Sequence, residues 1–437
     1  MGVNAAILPS AAIAETISNV SPAPTATAHR TPVRSIMLLA AAGFAAQAQV
    51  RVTDSLLPQI AADFRTTVGV AAIVVTAYAL THGTIQFVAG PVADRFGKFR
   101  AVTIATVIAA ALVAVCGTAS TLPQLALARL ATGAVAGWII PISMAYVGDV
   151  TPYDKRQPIL ARYASGYILG QLFGQVAGGV LGDLVGWRNV FFVLAGMFAL
   201  AGAGLVAELI ADPRTRAAGR LSPSLPPPAR GGGLGWGRGF RADYAAVLSN
   251  PFARIILLVG FIEAALAWGA FAYIGADLHA RFGVSFTLVG LTVAFFGVGG
   301  LIYAGLVRHF MFRLGPAGLT VIGGFVITAA YIVLSVEAAW WLAPAATTAI
   351  GLGFYMFHNT LQTYATQMTP EARGTAVAIF SSALYFGQTA GVALGALVID
   401  RFGAVPLYVG TAVAFPALAI WFARELRQGS AATKSEM

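Results

Sequence analysis

Apolar runs of about 20 residues recur along the whole chain, and no other feature limits its fold as strongly. A run of that length is what an α-helix needs to cross the hydrocarbon core of a bilayer. Hydrophobic residues make up 58% of the 437 and charged residues only 10%, against about a quarter in soluble domains. Only helices or closed barrels satisfy their backbone in lipid, and the sequence lacks alternating strand patterns. We therefore predict an all-α polytopic membrane protein.

Twelve of these runs are predicted to span the membrane, and we number them spans 1 to 12. Their limits are 34–56, 70–92, 100–118, 124–147, 160–183, 188–210, 253–275, 287–307, 317–336, 340–363, 374–399 and 403–424. Twelve crossings bring both ends of the chain to one side, the terminal side; the other is the distal side. Most of the 27 lysines and arginines fall on the terminal side. The positive-inside rule then predicts cytoplasmic termini, in the inner (cytoplasmic) membrane of a cell. The net charge of +10 reflects this topology, so no nucleic-acid partner is expected.

Two segments outside the spans have the composition of unstructured chain. Residues 1–33 lack the basic start and apolar core of a signal peptide, and we predict a disordered cytoplasmic tail. Residues 211–252 contain three consecutive prolines, three consecutive glycines and scattered arginines. Such a segment cannot bury enough apolar area to fold alone. It is predicted to be a linker along the anionic cytoplasmic leaflet.

The two halves of the chain resemble each other at an offset of about 217 residues. The matches are Thr151-Pro152 with Thr369-Pro370, Gly170-Gln171 and Gly174 with Gly387-Gln388 and Gly391, and Asp183 and Gly186 with Asp400 and Gly403. A duplicated six-span unit predicts two six-helix bundles related by pseudo-two-fold symmetry around a central site. The predicted bundles are residues 34–210 and 253–424, with 425–437 as a cytoplasmic tail.

A charged turn rich in glycine, predicted to run from Gly90 to Arg100 between spans 2 and 3, is the most specific motif of the sequence. Its defining residues are Gly90, Asp94, Arg95, Gly97 and Lys98. It resembles the G-x-L-A-D-R-x-G-R/K motif of the major facilitator superfamily, with Val92 in place of the leucine. The resemblance covers residues 34–424 and is nearest to the twelve-span drug:H⁺ antiporter and sugar-efflux type branch. It implies that Asp94 faces the amino end of span 11, where the helix dipole favours a carboxylate, and helps to hold the outward-open state. The alternative is a solvated loop.

Two further motifs carry the same resemblance. Arg129 to Gly133 in span 4 is similar to the family's R-x-x-x-G motif, implicated there in proton transfer. A guanidinium keeps its proton, so Arg129 is expected to tune a carboxylate or to hold substrate, unless it snorkels to the interface. Span 5 resembles a glycine-rich antiporter motif, but Gln171 occupies the proline position. Small residues spaced four apart predict close helix packing at Gly133, Gly170, Gly174 and Gly178.

Three buried ionisable residues are the candidates for proton coupling. Glu263 lies near the middle of span 7, and burial disfavours the charged form of a carboxyl, as a proton carrier requires. The alternative is a neutral carboxyl that is hydrogen-bonded to a neighbouring helix. Asp54 and Arg51 are three residues apart and share a face close to the outer interface. They are expected to form a water-exposed ion pair there, which is either a gating or coupling pair or a structural pair. Arg129 completes the set.

Polar residues within the spans predict a substrate cavity. In span 10, His358 and Gln362 are four residues apart and so lie on one face. The predicted lining is Gln47, Arg51, Gln171, Trp268, His358, Asn359, Gln362 and Gln388. The alternative is hydrogen bonding between helices. A neutral polar lining of this kind suits sugars or weakly polar drugs.

These features predict a secondary transporter that exports a small organic molecule in exchange for protons by alternating access. We expect a monomer with no cofactor, driven by the proton motive force. The sequence has no phosphate-binding Gly-Lys loop, its five histidines lack metal-ligand spacing, and no Ser/His/Asp arrangement suggests an enzyme. The alternatives are uptake by symport or facilitated diffusion, and a transporter-like receptor. Deletion of residues 214–240 would silence a receptor and leave a transporter active.

Overall fold

The computed structural model describes residues 32–151, 153–213, 215, 238–336, 338–369 and 372–435. Residues 1–31 of the predicted amino-terminal tail, and residues 214 and 216–237 of the predicted linker, lie outside the described residues. Within the described ranges the secondary structure is helical and contains no strand. The predicted all-α class is confirmed.

Ten helices of the described chain are long and apolar enough to cross a membrane. One of them, Phe286–Val336, contains predicted spans 8 and 9. Gly315 interrupts the helix between these two spans, with φ 63° and ψ 177°. The helix Ala343–Ala365 is span 10; it has 23 residues and is not among the ten. The remaining spans are Val33–Asp63, Val68–Ala71 with Ile73–Phe96, Lys98–Thr118, Leu122–Ala136 with Ile139–Val150, Tyr153–Val185, Trp187–Ala211, Pro251–Phe271 with Ile274–Phe282, Arg373–Phe402 and Val405–Ser435.

Local chemistry explains where several of these helices begin. Thr67, Thr121 and Asn250 precede spans 2, 4 and 7, and each side chain accepts a hydrogen bond from a backbone N–H of the first turn. These residue types are the preferred N-caps. Pro251 follows Asn250 in the first turn, where proline removes no helical hydrogen bond.

The charged motif after span 2 is helical, and this corrects the expectation of a turn running from Gly90 to Arg100. Span 2 continues to Phe96, and span 3 begins at Lys98. Only Gly97 departs from helical geometry, with φ 88°. A residue without a Cβ adopts this conformation without strain, so one glycine is enough to reverse the chain.

Glycines set the closest helix contacts in both halves. A Cβ added to Gly170 or Gly174 of span 5 would lie within 3.0 Å of the carbonyl oxygens of Phe44 and Ala48 in span 1. Gly178 meets span 1 in the same way one turn further along. The backbones of the two helices therefore touch, as the four-residue spacing of small residues requires.

The second half repeats this contact with the residues found 217 positions later. A Cβ on Gly387 or Gly391 of span 11 would lie within 3.0 Å of the carbonyl oxygens of Phe261 and Ala265 in span 7. The internal repeat seen in the sequence is thus a repeat of tertiary contacts. Gly133 makes an equally close approach to the Tyr78 carbonyl, between spans 4 and 2.

Two aspartates join the halves at their distal ends. Asp183, at the end of span 5, accepts a hydrogen bond of 2.5 Å from the backbone N–H of Thr287 at the start of span 8. Asp400, its counterpart at the end of span 11, accepts bonds of 2.8 Å from the Gly69 N–H and 2.6 Å from the Thr67 hydroxyl. Each carboxylate therefore lies at the amino end of a helix of the other half, where the helix dipole favours a negative charge.

The last part of the predicted linker is a helix, Arg238–Ser249, that packs on the bundles. Val247 is fully buried, and the Tyr244 hydroxyl donates a 2.9 Å hydrogen bond to the Phe87 carbonyl of span 2. Burial raises the pKa of Tyr244, which keeps this donor protonated. The composition of the linker predicted that it cannot fold by itself. This helix is stabilised instead by its contacts with both halves of the protein.

Candidate functional site

A cavity of about 820 Å³ lies between the two halves. All eight residues predicted to line a substrate cavity border it: Gln47, Arg51, Gln171, Trp268, His358, Asn359, Gln362 and Gln388. Spans 1 and 5 of the first half face spans 7, 8, 10 and 11 of the second. The structure therefore brings these residues together, and their contact with a substrate stays a prediction.

The cavity extends toward the terminal side of the molecule. Its lining includes Met311 and Pro316, on either side of the break between spans 8 and 9, and Gln367 beyond the end of span 10. The distal ends of the halves are joined by Asp183 and Asp400. Closed distal contacts and a cavity that reaches the terminal ends are the geometry of a pathway facing the terminal side.

Arg51 crosses from the first half to the second. Its guanidinium lies 3.5 Å from the ring centroid of Trp268, and its Nη1 is 3.4 Å from the Asp54 carboxylate. Arg51 is 5% exposed and Asp54 is 2% exposed. The predicted pairing is present, but the expected water-exposed position near the outer interface is wrong, since the second half covers the pair.

Arg51 and Trp268 occupy equivalent positions in the repeat, 217 residues apart. Two equivalent residues can touch only where the pseudo-two-fold axis passes between them. Their contact therefore marks the centre of the molecule. Cation–π contacts of this kind are worth about 1–2 kcal/mol.

Arg129 is fully buried, so the snorkelling alternative is wrong. Its Nε donates a 3.1 Å bond to the Val74 carbonyl and its Nη1 a 3.2 Å bond to the Gln49 carbonyl. The guanidinium also lies 4.2 Å from the ring centroid of Tyr78. Backbone carbonyls of spans 1 and 2 thus hold a permanent charge in place.

Arg129 bonds to the carbonyl of Gln49 on span 1, two residues before Arg51 and five before Asp54, so the three charged side chains lie in one buried region of the first half. Asp54 Oδ1 and Arg129 Nη2 are buried without a hydrogen-bond partner in the part of the chain that the structure describes. We call these three residues the charged cluster of the first half. It contains two permanent positive charges and one carboxylate.

The second half holds a different pair. His358 Nδ1 of span 10 lies 3.0 and 3.2 Å from the two carboxylate oxygens of Glu263 in span 7. Glu263 is fully buried, and the His358 ring borders the cavity. Phe354 stacks on that ring with centroids 4.9 Å apart and planes within 10°. Both interpretations of Glu263, proton carrier and structural carboxyl, are compatible with this contact.

The aromatic residues that connect the two clusters were missed by sequence reasoning. Phe354 lies between Trp268, at 5.1 Å between centroids, and His358. Tyr167 and Tyr355 also line the cavity. A signal existed for Phe354, which precedes His358 by four residues and so shares its face. Nothing comparable distinguished the tyrosines from packing residues.

Two residues of the predicted gating motif whose surroundings are described, Gly97 and Lys98, do not border this cavity. Lys98 pairs with Asp149 at the end of span 4 at 2.5 Å, and Gly97 forms the helix break. The side chains of Asp94 and Arg95, and the surroundings of Gly90, lie outside the described residues. The contact of Asp94 with span 11 stays a prediction.

The fold and the central cavity are those of a membrane transport protein, and comparison with known proteins gives the family. The Major Facilitator Superfamily model matches residues 39–391, and the chain belongs to that family. It is 24% identical over 363 residues to the uncharacterized MFS-type transporter YceJ of Bacillus subtilis (strain 168), which covers 80% of this chain and 86% of that protein.

The chain also resembles one protein over part of its sequence and another in its fold. The chain is 29% identical over 142 residues to the multidrug export protein EmrB of Haemophilus influenzae, covering 32% of this chain and 28% of EmrB. Its fold is similar to the crystal structure of a bacterial homologue of the human lysosomal transporter Spinster in an inward-facing and unoccupied conformation. That match has a TM-score of 0.65 and 16% identity, and covers 90% of this chain and 97% of the other.

Proposed function

We propose that this transporter exports a small organic molecule in exchange for protons. The observation that carries the proposal is the contact between Glu263 and His358. A fully buried carboxyl is bonded there to an imidazole that borders the cavity. Two titratable groups in contact can exchange a proton, and the imidazole can pass it to the cavity. The partial similarity to a multidrug export protein favours export.

Alternating access supplies the rest of the mechanism. Protonation shifts the balance between two conformations only if the proton is bound more tightly in one of them. The Glu263–His358 contact joins spans 7 and 10, so a rearrangement of either helix would change the surroundings of the carboxyl. Asp54 and Arg129 are proposed to support coupling from the first half. The membrane potential provides about 2.3 kcal/mol per charge per 100 mV.

The setting of this reaction is part of the proposal. We propose a monomer in the cytoplasmic membrane, with both termini in the cytoplasm and the proton motive force as its only energy source. Its partners would be the substrate, protons and the lipid bilayer.

The test uses everted membrane vesicles with an acidic lumen, monitored with a fluorescent ΔpH dye. A neutral drug (chloramphenicol), an aromatic anion (2-naphthoate) and a cation (ethidium) are added in turn. Export by proton antiport predicts that at least one of them raises the luminal pH. Glu263→Gln should abolish the response. Glu425→Gln should keep it, because that carboxylate bonds to Trp421 near the end of span 12 and does not border the cavity.

Other results would contradict the proposal. Radiolabelled compound that enters the vesicles without a pH change would indicate facilitated diffusion. Substrate release from the lumen together with protons would indicate symport. A normal response from Glu263→Gln would remove Glu263 from the coupling mechanism.

A further inference from the structure

We propose that the substrate is an organic anion with an aromatic or otherwise apolar body, held by Arg51. This inference rests on the proposed function and names the substrate class for the same cavity. Three observations lead to it: the signs of the charges that border the cavity, the charge balance behind its wall, and its aromatic lining.

The side chains that border the cavity include basic groups and no carboxylate among the described residues. Arg51 and His358 are the basic groups. The two acidic side chains of this region lie behind them, Asp54 behind Arg51 and Glu263 behind His358, and both are buried. A cationic molecule in the cavity would meet a guanidinium and an imidazole before it met an acid. A carboxylate, sulfonate or phosphate group would meet donors at once.

The charged cluster of the first half does not neutralise itself. The cluster holds one carboxylate, that of Asp54, which pairs with Arg51, and two guanidiniums that cannot lose their protons. The ion pairs recorded for the other acidic residues of this half lie at helix ends: Asp63 with Arg188, Asp149 with Lys98, and Glu208 with Arg34. The cluster therefore has a net charge of +1 with Asp54 ionised and +2 with Asp54 protonated. An anion bound at Arg51 would supply the missing charge.

The rest of the lining suits an apolar body with a polar edge. Trp268 and Phe354 form a continuous aromatic surface beside Arg51, and Tyr385 borders the same space. Amide side chains such as Gln171 and Gln388 supply neutral donors and acceptors. An aromatic carboxylate could stack on this surface while its charged group replaces part of the Arg51–Asp54 contact, which is long at 3.4 Å.

The experiment is a binding measurement on the full-length protein in detergent, with no proton gradient. Three probes of nearly equal shape differ in charge: 2-naphthoate, 2-naphthamide and 2-naphthylmethylamine. Binding of tritiated 2-naphthoate is measured by scintillation proximity, and the affinities of the other two probes are measured by competition. Because a charge-assisted hydrogen bond outweighs a neutral one, we expect 2-naphthoate to bind about tenfold or more tightly than either.

Variants of Arg51 test whether this residue causes the preference for the anionic probe. Arg51→Gln should abolish the preference for the anion, and Arg51→Lys should keep part of it. In case Arg51→Gln is unstable because Asp54 loses its partner, the double variant Arg51→Gln/Asp54→Asn gives the same test without an unpaired charge. Arg188→Gln is the matched control, since it breaks another arginine–aspartate pair far from the cavity.

Equal binding of the three probes, tighter binding of the amine, or no binding of any of them overturns the substrate class. So does an unchanged preference in Arg51→Gln. None of these results bears on proton coupling, which the vesicle assay measures separately. Conversely, loss of the pH response with the binding preference intact would overturn antiport and leave the anion site standing.

Discussion

The two halves of this transporter share their backbone contacts and differ in their buried charges. Glycines 217 residues apart make the same close approaches between spans 1 and 5 and between spans 7 and 11. Yet the first half contains Arg51, Asp54 and Arg129, whereas the second contains Glu263 with His358. The two halves thus share the glycines that the helices need in order to pack. The polar residues at the buried positions differ between them.

The difference separates permanent charge from titratable charge. Arg51 keeps its charge at any physiological pH, so the first half presents a permanent positive charge to the cavity. Glu263 and His358 of the second half are instead groups that can bind and release a proton. We therefore propose that the first half recognises a charged substrate and that proton exchange takes place mainly in the second, with Asp54 and Arg129 supporting it. The following predictions test this division and the shared framework.

The largest effects are expected from the shared glycine contacts. Gly170→Val and Gly387→Val each place side-chain atoms where the neighbouring helix backbone lies. Each should destabilise the protein by at least about 3 kcal/mol, because the backbones must move apart. Fluorescence-detected size exclusion should show loss of the monodisperse peak for both. Gly196→Val and Gly410→Val are the controls, since a Cβ at either position meets nothing within 4 Å. A tolerated valine in one half alone would show that the repeat is not equivalent in packing.

The second largest effect distinguishes the two kinds of buried charge. Arg129→Gln removes a guanidinium that bonds to two backbone carbonyls and should lower the free energy of unfolding by about 3 kcal/mol. Glu263→Gln keeps a group that can bond to His358 and should lower it by about 1 kcal/mol or less. Reversible unfolding in SDS, followed by tryptophan fluorescence, measures both. The reverse order would contradict the view that the first half uses its charges structurally as well as for recognition.

The distal contacts are expected to have an intermediate effect, on conformation rather than on folding. Asp400 accepts two hydrogen bonds across the halves and Asp183 accepts one. Asp400→Asn should favour opening of the distal side by about 2 kcal/mol and Asp183→Asn by about 1 kcal/mol. Spin labels at the exposed positions Leu184 and Phe402 would report the change as a population of longer distances.

Asp63→Asn is the control for this measurement. Its carboxylate also lies at a distal helix end, but it pairs with Arg188 within the first half. Distances that shift equally in this variant would show that the aspartates do not act by joining the halves.

The smallest effect concerns the contact at the pseudo-two-fold axis. A double-mutant cycle of Arg51→Gln and Trp268→Leu should give a coupling energy of about 1 kcal/mol, because the guanidinium rests on the indole face. Free energies of unfolding from the same SDS titration provide the four values. A coupling energy indistinguishable from zero would mean that Arg51 is free to move away from Trp268 at no cost to stability.

Much of the fold could be predicted from local sequence. The hydropathy of each span is a property of about 20 consecutive residues, and the structure confirms the predicted all-α fold and assigns helices to all twelve spans. The four-residue spacing of Gly170, Gly174 and Gly178 predicted a close helix contact, and the structure has one there. The turn after span 2 was predicted too long, because a single residue, Gly97, suffices to reverse the chain.

The sequence predicted which residues line the cavity, but not how they are arranged. Eight residues chosen for polarity within apolar helices all border one cavity. Sequence could not place Arg51 against Trp268, since that contact depends on how the two halves dock. For the same reason it gave Arg51 and Asp54 a water-exposed position, whereas the second half buries them.

By itself, the sequence determined the class of protein, the number of spans and the duplication, because hydrophobic length and helical period act within each segment. Only the tertiary structure decided that His358 contacts Glu263 and that Arg51 lies on the ring of Trp268. Contacts between distant spans follow from which helix faces meet. In this protein, small residues that allow close backbone approach determine which helix faces meet. The hydropathy of a span does not determine this.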